Sequence, residues 1–274
     1  MTRFDPLTDD AQGAANTHGP TAPVATVKSA DRTIDVLELL ASAPRRLTLS
    51  EIHRELGVPK SSLHNLLQTL VARSWLETDE RNSTYAIGMR ALRAGASYLE
   101  RDPVIEAAWP LLTHLRDELN ETVHLARLDG SDIVYLASRE SAHHLRSSSR
   151  IGRRLPAHTT GLGKALLAVR TDEEVAALLP QELRPLTPDT VTDLETLIGE
   201  LNQARRDGYI FERAQNTPGL GCFAVVISRR QPAIDALSCS VPLVRLTDEH
   251  RMQIVSALVH AAEELRHVTP QQAR

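Results

Sequence analysis

Residues 48–87 read TLSEIHRELGVPKSSLHNLLQTLVARSWLETDERNSTYAI, and the order of helix and strand signals within them decides the fold. Leu63, Leu66, Leu67, Leu70 and Val71 recur at i, i+3, i+4, i+7 and i+8, which gives a helix over 60–73 one buried face. The other face carries Lys60, Ser61, Ser62, His64, Asn65 and Gln68, hydrogen-bonding side chains in place of the usual Glu/Lys mixture. A first helix over 49–56, capped by Thr48 or Ser50, stops at Gly57-Val58-Pro59, with Gly57 at the position just past its end. Beyond 73 the pattern changes from helical to alternating. Strands over 75–78 and 84–87 flank the polar stretch Asp79-Glu80-Arg81-Asn82-Ser83, a hairpin. Helix, turn, helix and hairpin make a winged helix-turn-helix, and the hydrogen-bonding face of 60–73 is shaped for a major groove.

Outward from this stretch, a preceding helix runs through Ala43, capped by Ser29 or Asp31, with Ile34, Leu37, Leu40 and Ala41 inward; Pro44 ends it. Residues 1–27 are rich in Thr, Pro, Gly, Ala and Asp without periodicity and read as a disordered tail, and 269–274 as a second tail. The DNA-binding domain is expected over 28–88. A helical linker follows over 89–102, ended by Asp102-Pro103, and a second domain spans 103–268. There a long helix (104–120) precedes a hairpin of strands 122–128 and 132–137 around Asp129-Gly130-Ser131. Helices over 163–169, 171–179 and 190–206, strands over 209–213, 222–228 and 236–241, and a closing helix over 248–268 complete it. Strand pairs mixed with helices, without βαβ alternation, indicate an α+β domain on an antiparallel sheet.

Composition sets bounds. The 274 residues carry a net charge of −4, so the molecule as a whole is no polycation. Between Pro44 and Trp75, however, Arg45, Arg46, Arg54, Lys60 and Arg73 face only Glu51 and Glu55, a basic island in an acidic chain. Two cysteines, Cys222 and Cys239, are too few for a disulfide framework. With no signal peptide pattern and no apolar run of membrane length, a cytoplasmic protein that does not enter a membrane is expected.

On the helix, Asn65 has the geometry for a bidentate contact to adenine, and the free amides at the Lys60 end suit a phosphate or base edge. Arg32, Arg45 and Arg46 are candidate phosphate contacts, and Arg81 at the hairpin tip can reach a neighbouring groove. Further along, Thr159-Thr160-Gly161-Leu162-Gly163-Lys164 leads into a helix with the backbone access that glycines allow, but lacks the Walker spacing of a phosphate loop. Ser238 and Ser240 lie two apart on a strand, so their hydroxyls share a side and Cys239 faces the other. His124, His143, His144 and His158 lack the paired spacing of a metal site. No metal or other cofactor is expected.

The chain resembles the isocitrate lyase regulator (IclR) family of bacterial transcription regulators. The resemblance rests on DRTIDVLELLA, LSEIHRELGVPKSSLHNLLQTLVARSWLE and YAIGMRAL in the first half. It continues through ETVHLARLDGSDIVYLA (121–137), GRRLPAHTTGLGKALLA (152–168), RRDGYIFE (205–212), GLGCFAV (219–225) and ALSCSVP (236–242). It implies a GAF-like second domain and a small-acid site at Gly161, Leu162, Glu212, Leu220, Cys222, Ser238 and Ser240. It also implies a dimer or tetramer on a near-palindromic operator. The chain departs from the family at Asn65, where Arg is more usual, and at Glu212, where Asp opens an acidic run. The expected function is a ligand-responsive regulator of a catabolic pathway, by repression, sensing a small organic or sugar acid. The rival from a different class is an enzyme using Cys222 or Ser240 as nucleophile; it has no paired general base and leaves the winged helix unexplained.

Overall fold

The computed structural model describes residues 27–268 except 82 and 149; the readings of 1–26 and 269–274 as tails lie outside the described residues. The chain divides into two compact units, one ending at Ala91 and the other beginning at Leu92.

In the first unit, α1 (Lys28–Ser42), α2 (Leu49–Leu56) and α3 (Lys60–Ala72) pack with a three-stranded sheet of β1 (Leu47–Thr48), β2 (Leu76–Thr78) and β3 (Thr84–Ile87), ordered β1-β3-β2. Thr48 caps α2 reciprocally: its hydroxyl accepts from the Glu51 N–H, and the Glu51 carboxylate accepts from the Thr48 N–H at 2.8 Å. Gly57 closes α2 at φ +65, a left-handed position that glycine enters without strain. Leu63, Leu67 and Leu70 of α3 are buried with Val36, Leu40, Ile52, Val58, Leu76 and Tyr85, while Leu66 and Val71 pack at the edge of this core. Two expectations fail at α1. The position before it is Val27, with no side-chain cap, and Ser29 and Asp31 lie inside the helix. Its inner face fails in part: Leu40 is buried with Val36 and Leu37 packs against them as expected, whereas Ile34 and Ala41 are exposed.

Helix α4 (Met89–Arg101) leads to α5 (Pro103–Leu119), whose N-cap Asp102 accepts from the Val104 and Ile105 N–H groups. The second unit is built on an antiparallel sheet ordered β6-β5-β4-β9-β8-β7. Its strands are β4 (Thr122–Asp129), β5 (Asp132–Arg139), β6 (Arg154–Pro156), β7 (Ile210–Arg213), β8 (Leu220–Ile227) and β9 (Asp235–Pro242). Alternation along the strands separates two cores. Val123, Leu125, Phe223, Val225, Leu237, Cys239 and Val241 pack with α5 and α9 (Asp248–Arg266). Ala126, Tyr135, Ala224 and Ala236 pack with α6 (Gly161–Ala168) and α8 (Leu194–Asp207), and α7 (Asp172–Leu178) adds Val175. Three expectations shift here. Residues 154–156, not read as a strand, pair as β6, and α6 starts at Gly161 instead of 163, capped by Thr160. The helix expected from Thr190 starts at Leu194, because the Thr190 hydroxyl is used in a turn, accepting from the Leu186 and Thr187 N–H groups.

Candidate nucleic-acid interface and ligand site

Helix α3 begins after Pro59 with no side-chain cap, so its first amides are left for an external partner. Lys60, Ser61, Ser62, His64, Asn65 and Gln68 are all exposed on this helix. Its entry angle is held by a residue the sequence reading passed over: the His53 Nδ1–H donates to the Val58 carbonyl at 2.7 Å, locking the turn between α2 and α3. A histidine four residues before a Gly-Val-Pro turn is the only local signal of that role. The arginines differ in freedom. Arg45 is bonded to Glu51 at 2.7 and 3.3 Å, and Arg46 lies 3.6 Å from Glu77. Arg45 and the cap together hold the Glu51 carboxyl down to about 2. Arg32 is half-buried on α1, and Arg81 is exposed at the hairpin. There Asp79 anchors the tip by accepting from the Ser83 N–H and hydroxyl, each at 2.6 Å.

The second site lies on the sheet face beneath α6. Register places Glu212, Cys222, Ser240 and Thr122 side by side across β7, β8, β9 and β4, and Ala224, Ser238, His124 and Ser138 in the adjacent row. Leu220, two before Cys222, shares its face. Above them the start of α6 is pressed against β8: a Cβ on Gly161 would come within 3.0 Å of the Cys222 sulfur. The Thr160 hydroxyl accepts from the Gly163 N–H, and the Gly161 N–H is directed at the Cys222 sulfur. Leu162 turns its side chain into the core and offers this site only its backbone.

The polar groups of this face are unevenly partnered. Ser240 donates to the Cys222 sulfur at 3.7 Å. Ser238 is fully buried and its hydroxyl has no hydrogen-bond partner among the described residues; it lies close to the same sulfur without bonding geometry. His124 and Ser138 share a hydrogen bond at 2.9 Å, and the imidazole stands edge-on to Tyr135 with ring centroids 5.1 Å apart. Glu212 is 3% exposed; one carboxylate oxygen accepts from the Gln215 and Asn216 N–H groups. Lys164, also fully buried, bonds to Glu200 and Gln215, so its charge is already matched. That makes it a support for α6.

Burial sets the protonation states. It pushes the Glu212 carboxyl up to about 7, with the two backbone donors and Lys164 pulling the other way. It lowers His124 to about 4, leaving a neutral imidazole, and raises the Tyr135 phenol. The Cys222 thiol is raised to about 12 by burial and by Glu212, the reverse of what a nucleophile requires. No group of side chains among the described residues could hold a metal ion. Ser138 and Tyr135 were not among the residues singled out from sequence, and His124 was weighed there only as a metal ligand. Only the strand pairing brings them beside Ser238.

A family model described as the IclR helix-turn-helix domain matches residues 29–80, and one described as the bacterial transcriptional regulator IclR C-terminal matches 96–267. The chain is 32% identical to the transcriptional regulator BhcR of Paracoccus denitrificans over 87% of its own length and 86% of that protein's. It is 33% identical to the transcriptional repressor IclR of Escherichia coli, over 87% and 89%. An IclR regulator from Alicyclobacillus acidocaldarius superposes with a TM-score of 0.79 at 25% identity, covering 88% of this chain and 98% of that one. An IclR homologue from Microbacterium hydrocarbonoxydans, solved with 4-hydroxybenzoate, superposes with a TM-score of 0.72 at 27% identity, covering 87% and 99%.

Proposed function

The chain belongs to the IclR family of DNA-binding bacterial transcription regulators, and on that premise we propose how it reads DNA and what it senses. Helix α3 enters the major groove, with Lys60, Ser61, Ser62, His64, Asn65 and Gln68 toward the bases and phosphates. Arg32, Arg45, Arg46 and Arg81 contact the backbone or a neighbouring groove. One such helix reads too few bases for a genomic site, so the protein works as a dimer or a tetramer on a near-palindromic operator. It acts in the cytoplasm as a repressor of a catabolic pathway; the Escherichia coli relative, named a transcriptional repressor, supports repression.

A small organic or sugar acid is the effector, taken between α6 and the sheet by Gly161, Leu162, Glu212, Leu220, Cys222, Ser238 and Ser240. The observation that carries this is the partnerless, buried Ser238 hydroxyl, since an unmade hydrogen bond in a dry interior costs about 1–3 kcal/mol. A ligand oxygen removes that cost. The positive N-terminal end of α6 beside it, where the Gly161 N–H faces the site, favours the ligand's carboxylate. Crystallisation of the Microbacterium relative with 4-hydroxybenzoate supports an acid of this class. The protonated Cys222 thiol favours no enzymatic reading.

Selection of bound fragments from genomic DNA tests the first half, and genes flanking the fragments nominate acids for the second. A common inverted repeat and an acid that alters its occupancy are expected. Ser238→Ala with Ser240→Ala should then weaken the acid's effect while leaving ligand-free operator binding intact; an unchanged response overturns the assignment of the site.

A further inference from the structure

We propose that Arg127 is the positioning residue that ties the effector-bearing strands β4 and β9 to the end of the linker helix α4, so that strain in the sheet reaches the linker through this one side chain. The inference rests on the reading of the α6 face as the effector site.

Arg127 is nearly buried, on the α5 side of β4, directly opposite Asp235 of β9. Its Nε and Nη2 donate to the two oxygens of Asp235 at 2.6 and 3.0 Å. Its remaining arm, Nη1, donates to Asp102 Oδ2 at 2.5 Å and to the Tyr98 hydroxyl at 2.7 Å. Tyr98 lies in the last turns of α4. Asp102 is the joint between α4 and α5, and its other oxygen caps α5 by accepting from the Val104 and Ile105 N–H groups. One planar guanidinium thus fixes a strand pair, a helix cap and a linker side chain together.

The clamp is in the same ladder as the site. His124 opposes Ser238, and three residues along, Arg127 opposes Asp235; that is about 10 Å of strand. The first pair faces α6 and the second faces α5, so a ligand wedged under α6 loads the strands from the opposite face. The β4–β5 register slips beside Leu125 and Ala126, between the two pairs; the extra residue, Leu136, lies on β5, so the ladder that braces β4 is interrupted there. Two carboxylates share one cation in a nearly closed site, so the arrangement tolerates little displacement before a carboxylate loses its partner. A lysine could not replace it, because a point charge cannot engage Asp235 through two donors while holding Asp102 and Tyr98.

Linkage is reciprocal, so operator DNA can serve as the probe without an identified acid. The experiment compares amide hydrogen exchange of β4, β9 and α4 peptides in the full chain, free and bound to a selected operator. The variants are Tyr98→Phe, which removes one exposed-side hydroxyl, and Arg127→Met. In the parent, operator binding should change exchange in β4 and β9. In Tyr98→Phe that change should fall to less than about half, with operator affinity within about threefold of the parent. Arg127→Met, if folded, should abolish it. An unaltered change in Tyr98→Phe and Arg127→Met, or no change in the parent when operator is bound, overturns the proposal. Failure to find any selected operator would instead strike at the functional reading beneath it.

Discussion

Ser238 buries a hydroxyl for which the described residues supply no hydrogen-bond partner, and that sets a stability test independent of any ligand. Ser238→Ala should leave unfolding free energy unchanged or raise it by up to ~1 kcal/mol, since the variant buries nothing unmet. A loss beyond that in urea denaturation would mean the hydroxyl has a partner and the site argument fails. Glu212 and His124 lend themselves to a paired test because burial moves them in opposite senses. Glu212 is raised from 4.5 to about 7, so its protonated form favours the fold; that stability is present below pH 4.5 and lost as pH rises through 7. His124 is lowered from 6.5 to about 4, so its contribution is present above pH 6.5 and lost as pH falls through 4. Across pH 4.5–6.5 the two slopes oppose each other in the parent. Relative to the parent, Glu212→Gln should therefore gain stability as pH rises from 4.5 to 7, and His124→Asn should lose it as pH rises from 4 to 6.5. Each difference is on the order of 3 kcal/mol at most. Parallel curves for parent and variants in denaturation at stepped pH would refute both assignments. Neither residue's state is visible in sequence, because burial by α6 and the neighbouring strands creates it.

At the scale of elements, the winged helix was legible because its signals are local. The Thr48–Glu51 cap, Gly57 and the leucine spacing of α3 each lie within a few residues. The two-residue β1 and three-residue β6 were not read as strands, since each exists only through pairing with a partner distant in sequence, Tyr85 with Leu47 and Ile133 with Leu155. The same limit applied to the ligand face. Alternation alone put Ser238 and Ser240 on one side of β9, but the register that sets His124 beside Ser238 is non-local. Two variants examine elements directly. Gly163→Ala would place a Cβ 2.2 Å from the Ala157 carbonyl, so α6 must move off its support; a loss of more than ~3 kcal/mol and a lowered Tm are expected. His53→Ala removes the bond to Val58 that sets the angle of α3, at about 1 kcal/mol of stability. It should weaken binding evenly across operator variants. Asn65→Ala, by contrast, should cost about 1–3 kcal/mol at one base and relax preference there. Competition binding against a set of single-base operator changes separates the two patterns; a base-selective loss in His53→Ala would contradict the positioning role.

For the whole molecule the question is how a chain of net charge −4 holds a polyanion. Attraction must come from the local island, and the structure weakens that island further. Arg45 is engaged by Glu51, and Arg46 lies 3.6 Å from Glu77. Such pairing lowers non-specific affinity and shifts discrimination toward the uncharged groups of α3, which suits a regulator that must leave its operator on a signal. The two pairs are not equivalent, however. Glu51 also caps α2, so replacing it would disturb the helix-turn-helix itself. Glu77 and Arg46 are both substantially exposed, and their bond contributes little to stability, about 0–1 kcal/mol. Glu77→Gln therefore isolates the electrostatic question. It should release Arg46 to a phosphate and strengthen binding to unrelated duplex DNA at low salt. It should also steepen the dependence of log affinity on log salt by up to about one unit, because one more counterion is displaced. The ranking of single-base operator variants should not change, since phosphate contacts position the protein without reading sequence. Fluorescence anisotropy over a salt series measures all three. An unchanged slope would mean Arg46 does not reach the backbone, and a changed ranking would mean that the Arg46–Glu77 pair takes part in reading bases.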